Sequence, residues 1–201
     1  MEAWFLTLLA LVGAHLLKSR DQHRRIALLG SHLRNYQIEK LMENLTEGYL
    51  RALGEEDPER RAQIWGLLGS TEQSLCDQFQ RFVAEFARVD EAQTRVSTLA
   101  VGLPLADKLF PRATFDLRKM LAIHARGLTN AAANRRGLSP RDKAFTLSAE
   151  LFLMQHTCHW FCKSRTVASA RLLARHKTSY EQVLAAVAPD TREAYRALAG
   201  R

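Results

Sequence analysis

Apolar positions along the chain recur mostly three to five residues apart, and no convincing run alternates residue by residue. That period puts them on one side of a helix. Between Asp21 and Leu53, the residues Ile26, Leu29, Leu33, Tyr36, Leu41, Leu45 and Tyr49 form such a stripe, which predicts one long helix. Gly54 and the acidic run Glu55, Glu56, Asp57 end it, and Asp57 followed by Pro58 suits the N-cap and first position of the next helix. That next helix is predicted to be short, closing at Gly69, with Ser70 and Gln73 forming a capping box for a new start. From Thr71 onward, Leu75, Phe79, Phe82, Phe86, Val89, Gln93 and Val96 alternate by fours and threes. A stripe of this kind serves either a coiled coil with a second copy or the neighbouring helices of its own chain. The intramolecular use is favoured, because the other helices need partners.

Gly102, Pro104 and Pro111 interrupt the pattern, so residues 101 to 111 read as a connector with at most one helical turn around Ala106 to Phe110. Pro111 is expected at a first helical position, followed by an apolar face of Leu117, Leu121, His124, Leu128 and Ala131, and Gly137 is expected to end that helix. Ser139, Pro140 and Asp142 open the next one as N-cap, N1 proline and acid at N3. From Ala144 to Cys162 the only formal charge is Glu150, and the Gln, His, Thr and Ser side chains in that span make it costly in lipid. It is expected to be the central buried helix. Thr178 and Glu181 suggest a capping box, and two short helices separated near Pro189 complete the chain.

The N-terminus departs from this amphipathic pattern. Ala3 to Leu17 carries no formal charge, and Lys18, Arg20, Arg24 and Arg25 follow at once. No basic region or A-x-A-like cleavage site marks it as a signal peptide. Although shorter than the roughly 20 residues of an ordinary span, it predicts a single-pass membrane helix. The bases behind it predict an exported N-terminus and a cytoplasmic body, at the inner (cytoplasmic) membrane of a bacterium. The expected organisation is a membrane anchor over residues 1–20 and a helical domain over 21–201. The expected fold class is all-α: an antiparallel bundle of about four to five main helices behind that anchor.

Composition supports helices: of 201 residues only five are Pro and ten Gly. Three cysteines, Cys76, Cys158 and Cys162, are too few for a disulfide framework. The net charge of +8 matters less than its distribution. Residues 39–91 hold twelve acids and six bases, net −6, whereas 108–177 hold fourteen bases and three acids, net +11. Either the two regions face each other within the fold, or the basic one offers a face to phosphates.

Two groups of residues carry candidate chemistry. Cys158, His159 and Cys162 lie on neighbouring turns of one helix and are candidate metal ligands, but no fourth ligand accompanies them and both cysteines continue the apolar stripe of Leu147, Leu151 and Met154. Arg135, Arg136, Arg141 and Lys143 form a basic turn that suits phosphate or another anionic partner. His124, on an apolar stripe, is expected as a hydrogen-bonded core histidine. No phosphate-cradling glycine loop, nucleophile elbow or H-E-x-x-H motif is present, so no catalytic residue and no cofactor is assigned. The leading expectation is a membrane-anchored scaffold, adaptor or assembly subunit. It would bind the membrane through residues 3–17 and other proteins through its body, with a homo-oligomer possible. A nucleic-acid-binding bundle using residues 108–177 and a metal- or haem-binding helical protein stand as alternatives.

Overall fold

The computed structural model describes residues 2–200, with side chains from Trp4 onward; Met1 and Arg201, the outer ends of the two expected domains, lie outside the described residues. The protein is mostly helical. In chain order the elements are α1 (Glu2–Leu33), α2 (Ile38–Gly54), α3 (Pro58–Phe86), α4 (Glu91–Thr94), β1 (Arg95–Ser97), α5 (Ala106–Leu109) and β2 (Thr114–Asp116). Then follow α6 (Leu117–Ala132), α7 (Pro140–Cys162), α8 (Arg165–His176), α9 (Tyr180–Ala186) and α10 (Pro189–Ala199).

The core gathers one face from each long helix. Leu45 and Tyr49 of α2, Leu75, Phe79, Phe82 and Phe86 of α3, and Leu117, Leu121 and Leu128 of α6 are all buried. α7 runs through the middle, with Leu147, Leu151, Leu153, Trp160 and Phe161 buried on more than one side, as expected of a central helix. The phenylalanine stripe therefore faces its own chain, and Phe79–Phe82 and Phe82–Phe86 ring centroids lie 5.7 Å apart. The predicted caps also stand: the Asp57 carboxylate accepts from the Glu59 and Arg60 N–H groups, and the Ser139 hydroxyl accepts from the Asp142 N–H.

Four expectations are corrected. The stripe from Asp21 to Leu53 belongs to two helices, broken at residues 34–37, so that Leu29 and Leu45 reach the same core from different directions. The break falls next to the five-residue gap between Tyr36 and Leu41. No boundary exists at Gly69. Ser70 donates back to the Leu67 carbonyl at 2.8 Å, and the packing of Leu68, Leu75 and Phe79 outweighs the roughly 1 kcal/mol helix penalty of each of Gly66 and Gly69. Pro111 does not start a helix. Asp116 does, accepting from the Arg118 N–H at 2.9 Å. Near the C-terminus the capping box is Ser179 with Gln182, one residue beyond Thr178 and Glu181.

β1 and β2 pair antiparallel, Arg95 opposite Asp116, Val96 opposite Phe115 and Ser97 opposite Thr114. Three residues per strand are too few for alternation to be seen in sequence. Their pairing closes the connector 98–113 into a loop whose base is fixed by the Thr98 N–H bonding the Ala113 carbonyl at 2.9 Å. α7 holds the same base: the Trp160 indole N–H donates to the Ser97 carbonyl at 2.9 Å, and its ring meets Phe115 edge-on.

Among the described residues, no helix is long and apolar enough to cross a membrane, so the expected single-pass span is not supported. At about 1.5 Å per residue the fifteen charge-free residues reach roughly 22 Å, short of a hydrocarbon layer of about 30 Å. The segment is instead the outer half of α1, which runs unbroken across the expected boundary at residue 20.

Candidate functional site

The candidate metal ligands Cys158, His159 and Cys162 lie on neighbouring turns of α7. Cys158 and Cys162 are half-buried beside the core, and both are free thiols. Burial pushes the Cys162 thiol up to about 11 against the opposing pull of Arg171, Arg25 and Lys163, and burial raises Cys158 further, with Cys162 adding to it. Thiolates, the form that binds metal or attacks electrophiles, are therefore disfavoured. Burial lowers His159, as do the neighbouring cations Arg171 and Arg175. Among the described residues, no three His, Cys, Asp or Glu side chains converge in a way that would hold a metal ion.

The basic turn is divided in use. Lys143 forms an ion pair with the buried Glu72 of α3, which also accepts the Tyr49 hydroxyl at 2.6 Å. Arg141 lies over the Phe145 ring at 5.6 Å. Arg135 and Arg136 remain exposed on the turn between α6 and α7.

A polar cluster that sequence reasoning found only in part sits between α6, α7, α9 and α10. His124, Glu150, His156, Thr157, Thr191 and Tyr195 are all buried there. The Thr157 hydroxyl donates to the Leu153 carbonyl at 3.0 Å and lies 2.9 Å from His124 Nε2. His156 Nε2 is 3.1 Å from Ser169 Oγ, and its ring stacks on Tyr180 at 4.7 Å. Glu150 Oε1 accepts from the Ala188 N–H at 3.0 Å, tying the residue that precedes α10 to α7 from across the bundle. A Cβ on Gly127 would stand 2.5 Å from both Glu150 Oε2 and Thr191 Oγ1, so only glycine lets α6 approach this carboxyl group. Burial raises Glu150 to about 7, opposed by its bonds from Thr191 and Ala188. Burial lowers His124 to about 3 and His156 to about 4, with a neighbouring histidine adding to each shift. All of these groups are closed off from solvent, so the cluster organises the interior and presents nothing to a substrate.

An extensive apolar surface belongs to α1. Trp4 is 83% exposed, and Phe5, Leu6, Leu8, Leu9, Leu11, Val12, Leu16 and Leu17 are exposed with it. These residues spread over about two thirds of the helix circumference, wider than the single stripe of a helix that packs on a protein core, and Thr7, Ala10 and Ala14 occupy the remaining face. α1 joins the body only from about Lys18 onward. Arg25 bonds Asp21 at 2.8 Å, reaches the Arg95 carbonyl at 2.9 Å and lies over Phe161, and Lys163 donates to Gln22 at 2.9 Å.

No protein-family model, curated protein or solved structure matches this chain. The assignment therefore rests on the residues themselves, and the exposed half of α1 is the feature they most need to explain. The stretch that sequence pattern marked as apolar holds nine large apolar side chains exposed to solvent. The mouth of the 98–113 loop lies beside it, with a Cβ on Gly102 reaching to 3.6 Å from Lys18.

Proposed function

We propose that this protein is a membrane-attached helical scaffold or adaptor, held to the bilayer by the outer half of α1. The observation that carries this reading is the apolar surface of Trp4 to Leu17, exposed around about two thirds of the helix circumference. Removing one Val, Leu or Phe side chain from water is worth about 1.5 to 3 kcal/mol, so the nine exposed side chains, Trp4 among them, favour insertion strongly over hydration. A groove on another protein covers one face of a helix, whereas lipid covers all of them. The charge-free stretch is short for a span, so in this reading it dips into one leaflet from the side on which the body lies, with Lys18 and Arg20 at the headgroups. Attraction of those bases to anionic lipid favours the cytoplasmic leaflet.

The body supplies the adaptor role through oppositely charged outer surfaces. Glu39, Glu43 and Glu47 are exposed along α2, and Arg135, Arg136 and Arg141 are exposed at the α6–α7 turn. Opposed patches of this kind select and orient protein partners. The nucleic-acid reading is weakened because Lys143, one of the four bases of that turn, is committed to Glu72.

Flotation of the full chain with phospholipid vesicles tests the attachment. The wild-type protein is expected to float with vesicles and to stay with them in high salt. Leu8→Glu combined with Val12→Glu should leave it unbound, with its thermal unfolding unchanged because neither side chain packs on the body. A wild-type protein that stays in the aqueous fraction overturns the reading.

A further inference from the structure

The connector between β1 and β2 exposes an unusual amount of apolar surface. Val101, Leu103, Leu105, Leu109 and Phe110 all face solvent, Leu109 at 65% and Phe110 at 48%. A loop without a membrane or protein contact places polar residues at such positions. Leu105 adds a second oddity: its backbone adopts the left-handed region (φ 57°), which a leucine occupies at a steric cost.

The loop is nonetheless held firmly. Its base is the β1–β2 pair, and the Ala100 carbonyl accepts from both the N–H and the hydroxyl of Thr166, at 3.2 and 2.7 Å. Gly102 passes so close to the Lys163 carbonyl that a Cβ would stand 2.9 Å from it. These contacts fix the loop beside the point where α1 leaves the body, where Arg25 lies 3.9 Å from Asp107 of the loop. The apolar loop and the apolar helix therefore share one end of the molecule.

Charge completes the surface. Arg25 neutralises both nearby acids, Asp21 and Asp107. Lys18, Arg20, Lys108 and Arg112 form no ion pair among the described residues, and Lys108 and Arg112 are exposed on the loop itself. Apolar side chains flanked by unpaired bases match the boundary between acyl chains and anionic headgroups.

Resting on the membrane reading above, we propose that the 101–112 loop is a second membrane contact. It inserts Leu109 and Phe110 into the interface of an anionic bilayer, while Lys108 and Arg112 bind its headgroups. Two separate contacts fix the tilt of the body on the membrane, which a single helix entering one leaflet leaves free.

An environment-sensitive fluorophore on the full-length chain tests this, attached in turn at Leu109→Cys, at Leu9→Cys on α1, and at Leu67→Cys on the α2–α3 hairpin. The native thiols are buried or half-buried with raised pKa values and react slowly. With vesicles containing phosphatidylglycerol, the probes at residues 109 and 9 should shift to the blue and be quenched by lipid-borne quenchers, while the probe at 67 stays aqueous. Lys108→Ala with Arg112→Ala should weaken binding to anionic vesicles by about tenfold or more and leave binding to phosphatidylcholine vesicles unchanged. A probe at 109 that stays aqueous while the probe at 9 is buried overturns the loop contact and leaves the helix attachment standing. A probe at 9 that also stays aqueous overturns both.

Discussion

His124 Nε2 lies 2.9 Å from Thr157 Oγ1, and the single hydroxyl proton of Thr157 is already given to the Leu153 carbonyl. With that proton so placed the hydroxyl accepts from the ring, the arrangement of an Nε2–H tautomer with Nδ1 a bare acceptor. Nδ1 has no hydrogen-bond partner and is sealed in the interior. Burial holds the ring neutral, its pKa lowered to about 3. Nitrogen NMR shifts of His124 should show an unprotonated Nδ1 at neutral pH and no titration down to about pH 4. Thr157→Val removes the acceptor from a buried N–H and should cost about 1 to 3 kcal/mol in denaturant unfolding.

The pH dependence of stability follows from the same cluster, with two opposing signs. Glu150 is raised to about 7, so the folded state holds a proton that the unfolded chain has released above about pH 4.5. Its contribution is present at low pH and is lost as pH rises through about 7. His124 and His156 are lowered to about 3 and about 4, so their contribution is present above about 6.5 and is lost as pH falls below it. Between about pH 4.5 and 6.5 the two histidines outweigh the one carboxyl group, so stability should rise with pH there and level off above about 7. Glu150→Gln should make that rise steeper, because it removes the opposing titration while the amide oxygen still accepts from the Ala188 N–H. A rise no steeper in the variant would show that Glu150 does not titrate in this range.

Gly127 and Gly69 both sit inside long helices, where glycine ordinarily costs about 1 kcal/mol relative to alanine. Their surroundings differ. Nothing lies within 4 Å of a Cβ on Gly69, whereas one on Gly127 would meet Glu150 and Thr191 at 2.5 Å. Gly69→Ala should thus stabilise by about 0.5 to 1 kcal/mol, while Gly127→Ala should destabilise by about 1 to 3 kcal/mol as the carboxyl group and α10 are pushed away. Thermal unfolding of the two variants separates these outcomes. A stabilised Gly127→Ala would mean that α10 moves aside without loss.

How much of this was legible in the sequence depended on how local the physics is. The caps at Asp57 and Ser139 and the phenylalanine face of α3 are set by residues within a few positions of each other, and their pattern identifies them. The break at residues 34–37 and the continuity of α3 through Gly69 are decided by what each helix packs against, which local signals do not contain. His124 and Glu150 were visible singly, as a polar residue on an apolar stripe and as the only charge in an apolar helix. Their joining into one cluster needed the tertiary placement of α6, α7 and α10. The apolar charge-free run at the N-terminus was evident, but its length set it below a span. The loop at 101–112 gave only glycine and proline signals, and its exposed leucines are conspicuous only once the fold shows that nothing covers them.

The opposite charges of residues 39–91 and 108–177 meet where Arg118 lies 3.4 Å from the exposed Glu91 and, deeper in the fold, where Lys143 of α7 pairs with Glu72 of α3. Glu72 is nearly inaccessible, while the lysine keeps a fifth of its side chain in solvent. The carboxylate therefore depends on Lys143 and on the Tyr49 hydroxyl for its solvation, and it has no water to replace them. Lys143→Met removes the cation and strands a buried charge, at an expected cost of about 2 to 4 kcal/mol. Glu72→Gln removes the charge but leaves an amide oxygen for Tyr49 to donate to, so it should cost less. Combining the two should recover most of the loss, because the stranded carboxylate is then gone. A double-mutant cycle by urea unfolding reads the coupling directly. Additive losses would show that the pair is incidental to stability and that the division of charge along the chain serves only the outer surface.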